Sequence, residues 1–209
     1  MLYAERLENG KNLRERLVEK MVLLNTFYEA KVDQLRDVAT LLGRALQIAG
    51  IRYQVIGGFA VFCHVDRIDP LAARLTRDVD VAVDRADLQR IADAVKPASM
   101  LHRHVAGIDM LVNADAPKAR SAVHLIFVNE KIRPEYIDPV PDISAPVRTE
   151  EGILIAPVVD LVRMKLTSFR LKDQVHIQDL DSVGLITPEI EASLSEALRE
   201  RLTQVRASE

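Results

Sequence analysis

The sequence predicts an α/β (α+β) fold: a small mixed β-sheet flanked by helices, with helices before it and a helical part after it. Three observations lead there. Short apolar runs of strand length, at 51–56, 77–83 and 123–128, are separated by longer stretches whose apolar residues recur at helical spacing. The first run closes on Gly57-Gly58, and the second carries Asp78-Val79-Asp80. Beyond Pro157 three helical patterns follow in succession. At 209 residues and 48% hydrophobic, the chain is long and apolar enough for one domain, or one with a small appendage. The expected division is 1–50 for N-terminal helices, 51–156 for the sheet-bearing core and 157–209 for the helical end.

Leu13, Leu17, Val18, Met21 and Leu24 predict an amphipathic helix over 11–25. Val32, Leu35, Val38, Leu41, Leu42 and Leu46 predict a second over 27–49, stopped by Gly50. Residues 51–56 form the first strand. A helix start follows the glycine pair at 59–64, its amide dipoles facing the turn. A loop spans 66–75 and the second strand 77–83. Asp84 is placed to cap a helix at 86–95, which Pro97 ends. Residues 102–112 read as a third strand, with Gly107 as a bulge. Residues 123–128 are a fourth, and 131–151, rich in Pro, Asp and Glu, a surface excursion. A short strand at 152–155 precedes helices at 158–169, 172–183 and 188–205, with Thr187 capping the last.

Asp78 and Asp80, two apart on a strand, point the same way while Val79 and Val81 point into the core. Adjacent carboxylates repel, and a hard divalent cation relieves the repulsion. The glycine pair permits positive φ or close backbone approach, which suits a phosphate-bearing ligand. The ordered set Gly57-Gly58, Arg74-x-Thr76-x-Asp78-x-Asp80 resembles the signature of the nucleotidyltransferase superfamily that includes DNA polymerase beta. It is closest in style to stand-alone prokaryotic members related to the AbiEii toxins. The resemblance covers about 40–130, with a second match near 157–180.

That resemblance implies a nucleotidyltransferase-like core in which Gly57 and Gly58 hold the triphosphate of an NTP. Arg74 and Thr76 are further nucleotide-binding positions, and Asp78 and Asp80 bind Mg2+ or Mn2+. Members of the superfamily carry a third carboxylate on a neighbouring strand; the matching position here is His124. An imidazole there has three readings: a metal ligand of softer preference, a base, or a polar lining of the cleft. Asp109 is the other acid able to fill the gap. A later stretch resembles the helical Lys and Arg-x-x-Asp of AbiEii-like proteins. Lys165 would contact the triphosphate, and Asp173 would orient a cation or a base. The catalytic set implied is therefore Asp78, Asp80, His124, Lys165 and Asp173.

Other residues read more plainly. Arg74 either reaches a phosphate or pairs with a carboxylate. His102 and His104 share a strand face without a third ligand at zinc spacing. His176, three residues after Asp173, is placed for an Asp–His contact. Cys63, the one cysteine, excludes an intramolecular disulfide and reads as buried and inert. A net charge of −3 gives no global case for nucleic-acid binding. Charges within residues 1–10 speak against a signal peptide, and no stretch approaches the roughly 20 apolar residues of a membrane span. The expectation is a cytoplasmic protein with no membrane association. With 4% aromatic residues, no base-stacking platform is visible.

Two functions follow. One is transfer of an NMP from an NTP to a hydroxyl on RNA (tRNA among them), protein or a small molecule, in the manner of a toxin–antitoxin enzyme. The other is a catalytically degenerate relative that binds nucleotide or a partner protein. A homodimer or an antitoxin partner is compatible with either.

Overall fold

The computed structural model describes residues 13–115 and 122–208; the side chains of residues 13–15 and 24 are outside that description. The reading of residues 1–10 falls outside it, as do the side chains of Leu13 and Leu24. Two compact units are present, one ending at Gln34 and one beginning at Leu35.

A single helix, α1 (Leu13–Ile48), replaces the two expected ones. The junction between them, at Asn25 and Thr26, contains neither Gly nor Pro. The Asn25 amide instead donates to Glu29 at 2.8 Å and the Thr26 hydroxyl to the Val22 carbonyl at 3.0 Å, both within the helix. In its C-terminal part Leu35, Ala39, Leu42 and Leu46 are buried at helical spacing. In its N-terminal part Leu17, Val18, Met21 and Phe27 are exposed. Gly50, at φ 63, ends the helix as expected.

The chain then enters β1 (Tyr53–Ile56), α2 (Gly57–Asp66) and β2 (Val79–Val83). A 3-10 turn leads into α3 (Leu88–Ala94). Asp84 does not cap it: no side-chain capping bond forms, and the carboxylate accepts from Arg52 at 3.0 Å. The strand expected at 102–112 is a hairpin, β3 (Met100–Val105) and β4 (Ile108–Asn113). Ala106 and Gly107, both at positive φ, form its two-residue turn, so Gly107 marks a reversal and not a bulge. Then come β5 (Val123–Phe127), β6 (Val147–Arg148) and β7 (Leu154–Ile155).

The seven strands form one mixed sheet in the order β3-β4-β5-β2-β1-β7-β6. β1 runs antiparallel to β2, whereas β2 and β5 are parallel, with Asp80 opposite His124. Val79, Val81, Val83, Tyr53 and Val55 are buried to 2% exposure or less, so the central strands lie in the core. Helices α4 (Val158–Ser168), α5 (Leu171–Ser182), α6 (Pro188–Ala192) and α7 (Glu196–Arg206) complete the fold. Pro157 sits at the N-cap of α4 and not inside its first turn. The last expected helix is two, broken near Ser193–Ser195, and Thr187 caps the first by accepting from the Ile190 amide. Arg201 of α7 donates to the carbonyls of Leu166 and Thr167 at 2.7 and 2.8 Å, closing the end of α4.

Candidate active site

The site begins where β1 becomes α2. Gly57 has φ +73, a conformation that side chains rarely adopt. A Cβ there would collide with the Asp80 carboxylate, and one on Gly58 would meet the Thr76 hydroxyl at 2.7 Å. The two glycines thus allow backbone and carboxylate to lie in contact. The residue before the helix, Ile56, offers no side-chain cap. The first amides of α2 have no side-chain acceptor there, the arrangement in which a helix start receives an anion.

Asp78 and Asp80 share one face, as alternation requires, with Val79 and Val81 in the core behind them. Both acids line a cleft of about 290 Å3, together with Gly57, His124, Lys165, Arg170 and Lys172. His124 Nδ1–H donates to Asp80 Oδ1 at 2.9 Å. This hydrogen bond raises the imidazole pKa from its ordinary value, with the nearby charges of Asp80 and Asp78 adding to it.

Lys165 and Arg170 are held by one carboxylate. Asp173, fully buried, accepts from Lys165 Nζ at 3.2 Å, Arg170 Nε at 2.6 Å and the Ser168 hydroxyl at 2.8 Å. It also accepts from the Arg170 backbone amide at 3.3 Å, closing the first turn of α5. Burial alone would push the Asp173 carboxyl up. The Arg170 hydrogen bond, the Lys165 charge and Ser168 outweigh it and bring it down to about 2. Burial pulls the Lys165 ammonium below its ordinary value, against the opposing pull of Asp173. The helix break at Phe169, φ 50, separates Lys165 from Lys172, yet both reach the cleft.

Several sequence candidates lie elsewhere. Arg74 donates to Asp179 at 2.7 Å and does not line the cleft, so the ordinary ion pair is the one that forms. Thr76 does not line the cleft; its hydroxyl lies beside Gly58. Asp109 lies on the other face: on β4 it is Met110 that stands opposite His124. Asp109 accepts from His102 Nε2 at 2.8 Å and His104 Nδ1 at 3.0 Å, so it does not fill the gap beside Asp80. Among the described residues His176 makes no hydrogen bond to Asp173 and its buried Nδ1 has no partner; its ring lies beside Gly58. Burial, then the charge of Lys165, lowers it to about 4, so it is neutral. Cys63 is partly buried, its thiol pushed up to about 12 by burial, consistent with an inert thiol.

What sequence reading missed is the fourth wall. The excursion after β5 contributes Ile132, Tyr136, Asp138, Pro139 and Val140 to the cleft. Its irregular backbone carries no periodicity that would have revealed this.

Two carboxylates on one face make an oxygen donor set of the kind that hard divalent cations prefer. Among the described residues no group of three or more His, Cys, Asp or Glu gathers to hold a metal unaided.

Most of the chain resembles a solved structure, an antigenic nucleotidyltransferase-like protein from Paracoccidioides brasiliensis. The TM-score is 0.56 at 17% identity, covering 84% of this chain and 88% of that one. The chain has a nucleotidyltransferase-like fold. The antibiotic-resistance factor ANT(2'')-Ia aligns at TM-score 0.41 and 11% identity, over 87% of this chain and 85% of that one. The Megavirus polyadenylate synthase aligns at 0.33 and 9%, over 82% of this chain and 34% of that one. The fold assignment rests on the first. No protein-family model and no curated protein sequence matches the chain. Among the described residues no helix is long and apolar enough to cross a membrane.

Proposed function

We propose that the protein is a metal-dependent nucleotidyltransferase moving an NMP from an NTP to a hydroxyl. One observation carries this reading: the glycine-entered start of α2 lies against Asp80, in a cleft that also holds Asp78, Lys165, Arg170 and Lys172. The amides of that turn bind phosphate oxygens, and the three cations neutralise the charge on the chain of phosphates. Asp78 and Asp80 hold Mg2+ or Mn2+. When bound, the ion supplies Lewis-acid polarisation of the phosphoryl oxygens and charge neutralisation. The acceptor hydroxyl oxygen bonds to the α-phosphorus in line as the α–β phosphoanhydride bond breaks; the hydroxyl proton passes to solvent and pyrophosphate leaves. Asp173 acts through Lys165 and Arg170, fixing both at the phosphate end.

The resemblance to AbiEii-type toxins favours RNA, tRNA included, or protein as acceptor over a small molecule, a toxin–antitoxin role in the cytoplasm, and an antitoxin or a second copy as partner. This is analogy at the level of the fold. A second reading has its own observation. His124 stands across from Asp80 where a third carboxylate would serve, which favours a protein that binds nucleotide without turnover.

The deciding experiment incubates the protein with each α-labelled NTP and Mg2+ or Mn2+, against separate pools of tRNA, total protein and small hydroxyl compounds. Label transfer that disappears in Asp80→Ala establishes the enzyme and its acceptor class. Nucleotide binding without transfer to any pool establishes the second reading.

A further inference from the structure

The segment following β5 is a closed loop with a defined stem. The Asn129 amide donates to the Val140 carbonyl at 2.8 Å, and the Val140 amide to the Glu130 carbonyl at 2.9 Å. Asn129 takes positive φ, 61, to make the turn. Glu130 is clamped by Arg85 through two hydrogen bonds of 2.5 and 2.6 Å, and the same guanidinium lies 3.7 Å over the Phe127 ring. Val140 is buried at the base. Compact surface loops with joined ends are a common place for function. Here the intervening residues Ile132, Tyr136, Asp138 and Pro139 line the cleft.

The cleft is amphipathic along the strands. On β5, His124 faces Asp80, and the next residue on the same face is Ile126, toward the loop. Ile126 and Ile108 of β4 join Ile132 of the loop and Met164 of α4 as an apolar lining. Ile108 and Ile132 are 45% and 51% exposed, so their aliphatic faces are open to a ligand in the cleft. Lys165 lies within electrostatic reach of Asp80, and Arg170 within reach of both Asp80 and Tyr136, while Asp138 places a carboxyl group on the loop wall. A triphosphate is drawn to these cations.

We propose that the loop of residues 130–140 is the nucleoside wall of the site. The base of an NTP lies between Tyr136 and the isoleucines, recognised by its flat apolar face, while its triphosphate reaches the glycine turn. Aromatic stacking on a base does not depend on which base it is. Apolar side chains likewise read no hydrogen-bonding edge, so purine and pyrimidine nucleotides are accepted alike. The inference rests on the nucleotidyltransferase reading and deepens it.

The test is binding, measured by titration calorimetry on the full chain with Mg2+, using ATP, UTP and inorganic tripolyphosphate. The expected result is that ATP and UTP bind within about fivefold of each other, and both at least about tenfold more tightly than tripolyphosphate. Tyr136→Ala and Ile132→Ser weaken both nucleotides about tenfold and leave tripolyphosphate unchanged; Tyr136→Phe keeps the affinity. Thermal melts check that the loop variants remain folded. Nucleotides that bind no better than tripolyphosphate, or Tyr136→Ala and Ile132→Ser variants that bind NTPs as the wild type does, overturn the proposal while leaving the phosphate site standing. No binding of any of the three overturns both the proposal and the reading beneath it.

Discussion

Two carboxylate–imidazole groupings stand on opposite faces of the same sheet. Asp80 with His124 is half-exposed in a cleft, beside a glycine turn and three cations. Asp109 with His102 and His104 lies at the β3–β4 edge, its carboxylate buried under two imidazoles. The residue types are the same. The difference is strand parity and what packs on each face. Asp80 meets a helix start that glycine permits to approach, whereas Asp109 is held by the His102 and His104 imidazoles of its own hairpin. An acid and a histidine in contact therefore say little about function until the face they occupy is known.

Substitutions that break one grouping and spare the other sharpen this contrast. The largest effect belongs to Asp80→Ala, which should reduce label transfer by a factor of about 100 or more. Asp109→Ala should leave transfer within about twofold and instead lower the melting temperature, through loss of about 1–3 kcal/mol from hydrogen bonds to a buried carboxylate. Next is Gly57→Ala. It strains a positive φ by roughly 1–2 kcal/mol and drives a methyl into the Asp80 carboxylate, so nucleotide affinity should fall with transfer. The equivalent change at Gly107 meets open space, so it should cost only the backbone strain and spare nucleotide affinity.

Asp173→Asn should cost stability first and activity through it, since it breaks the buried ion pair to Lys165 and leaves Asp80 as the remaining counter-charge, a loss of roughly 3–5 kcal/mol. Asp173 also sets an acid limit. Its folded pKa, about 2, lies below the ordinary 3.8. The stability it contributes is present above the ordinary value and is lost as pH falls toward 2. Acid melts of wild type and Asp173→Asn should converge there. The smallest effect is that of His124. Its pKa is raised in the fold, so the stability it adds is complete below its ordinary pKa of about 6.5 and fades as pH rises through the folded value. His124→Gln should flatten that slope in melts between pH 6 and 8.

Much of the site could be read from residues alone. The glycine pair and the alternation of Asp78 and Asp80 are local patterns, and local patterns survive folding. Lys165, Arg170 and Asp173 are singled out by the resemblance of their stretch to AbiEii-like proteins, and in the fold the three side chains are joined in one hydrogen-bonded group. What escaped was non-local. Whether Asp109 faced the cleft depended on a reversal at Ala106-Gly107 that the run of β-formers hid. Whether Arg74 was free depended on Asp179, distant in sequence. The joining of the first two helices turned on the absence of a breaker, which is weaker evidence than the presence of one. The loop wall carrying Tyr136 had no period at all.

The central claim is that the glycine turn and Asp80 face a triphosphate. A crystal structure with Mg2+ and a nonhydrolysable NTP analogue tests it most directly. The account predicts phosphate oxygens against the amides of Gly57 and Gly58, the metal on Asp78 and Asp80, and the base against Tyr136. Nucleotide density elsewhere contradicts it, for instance in the cavity lined by Arg36, Cys63, Arg67 and Arg148.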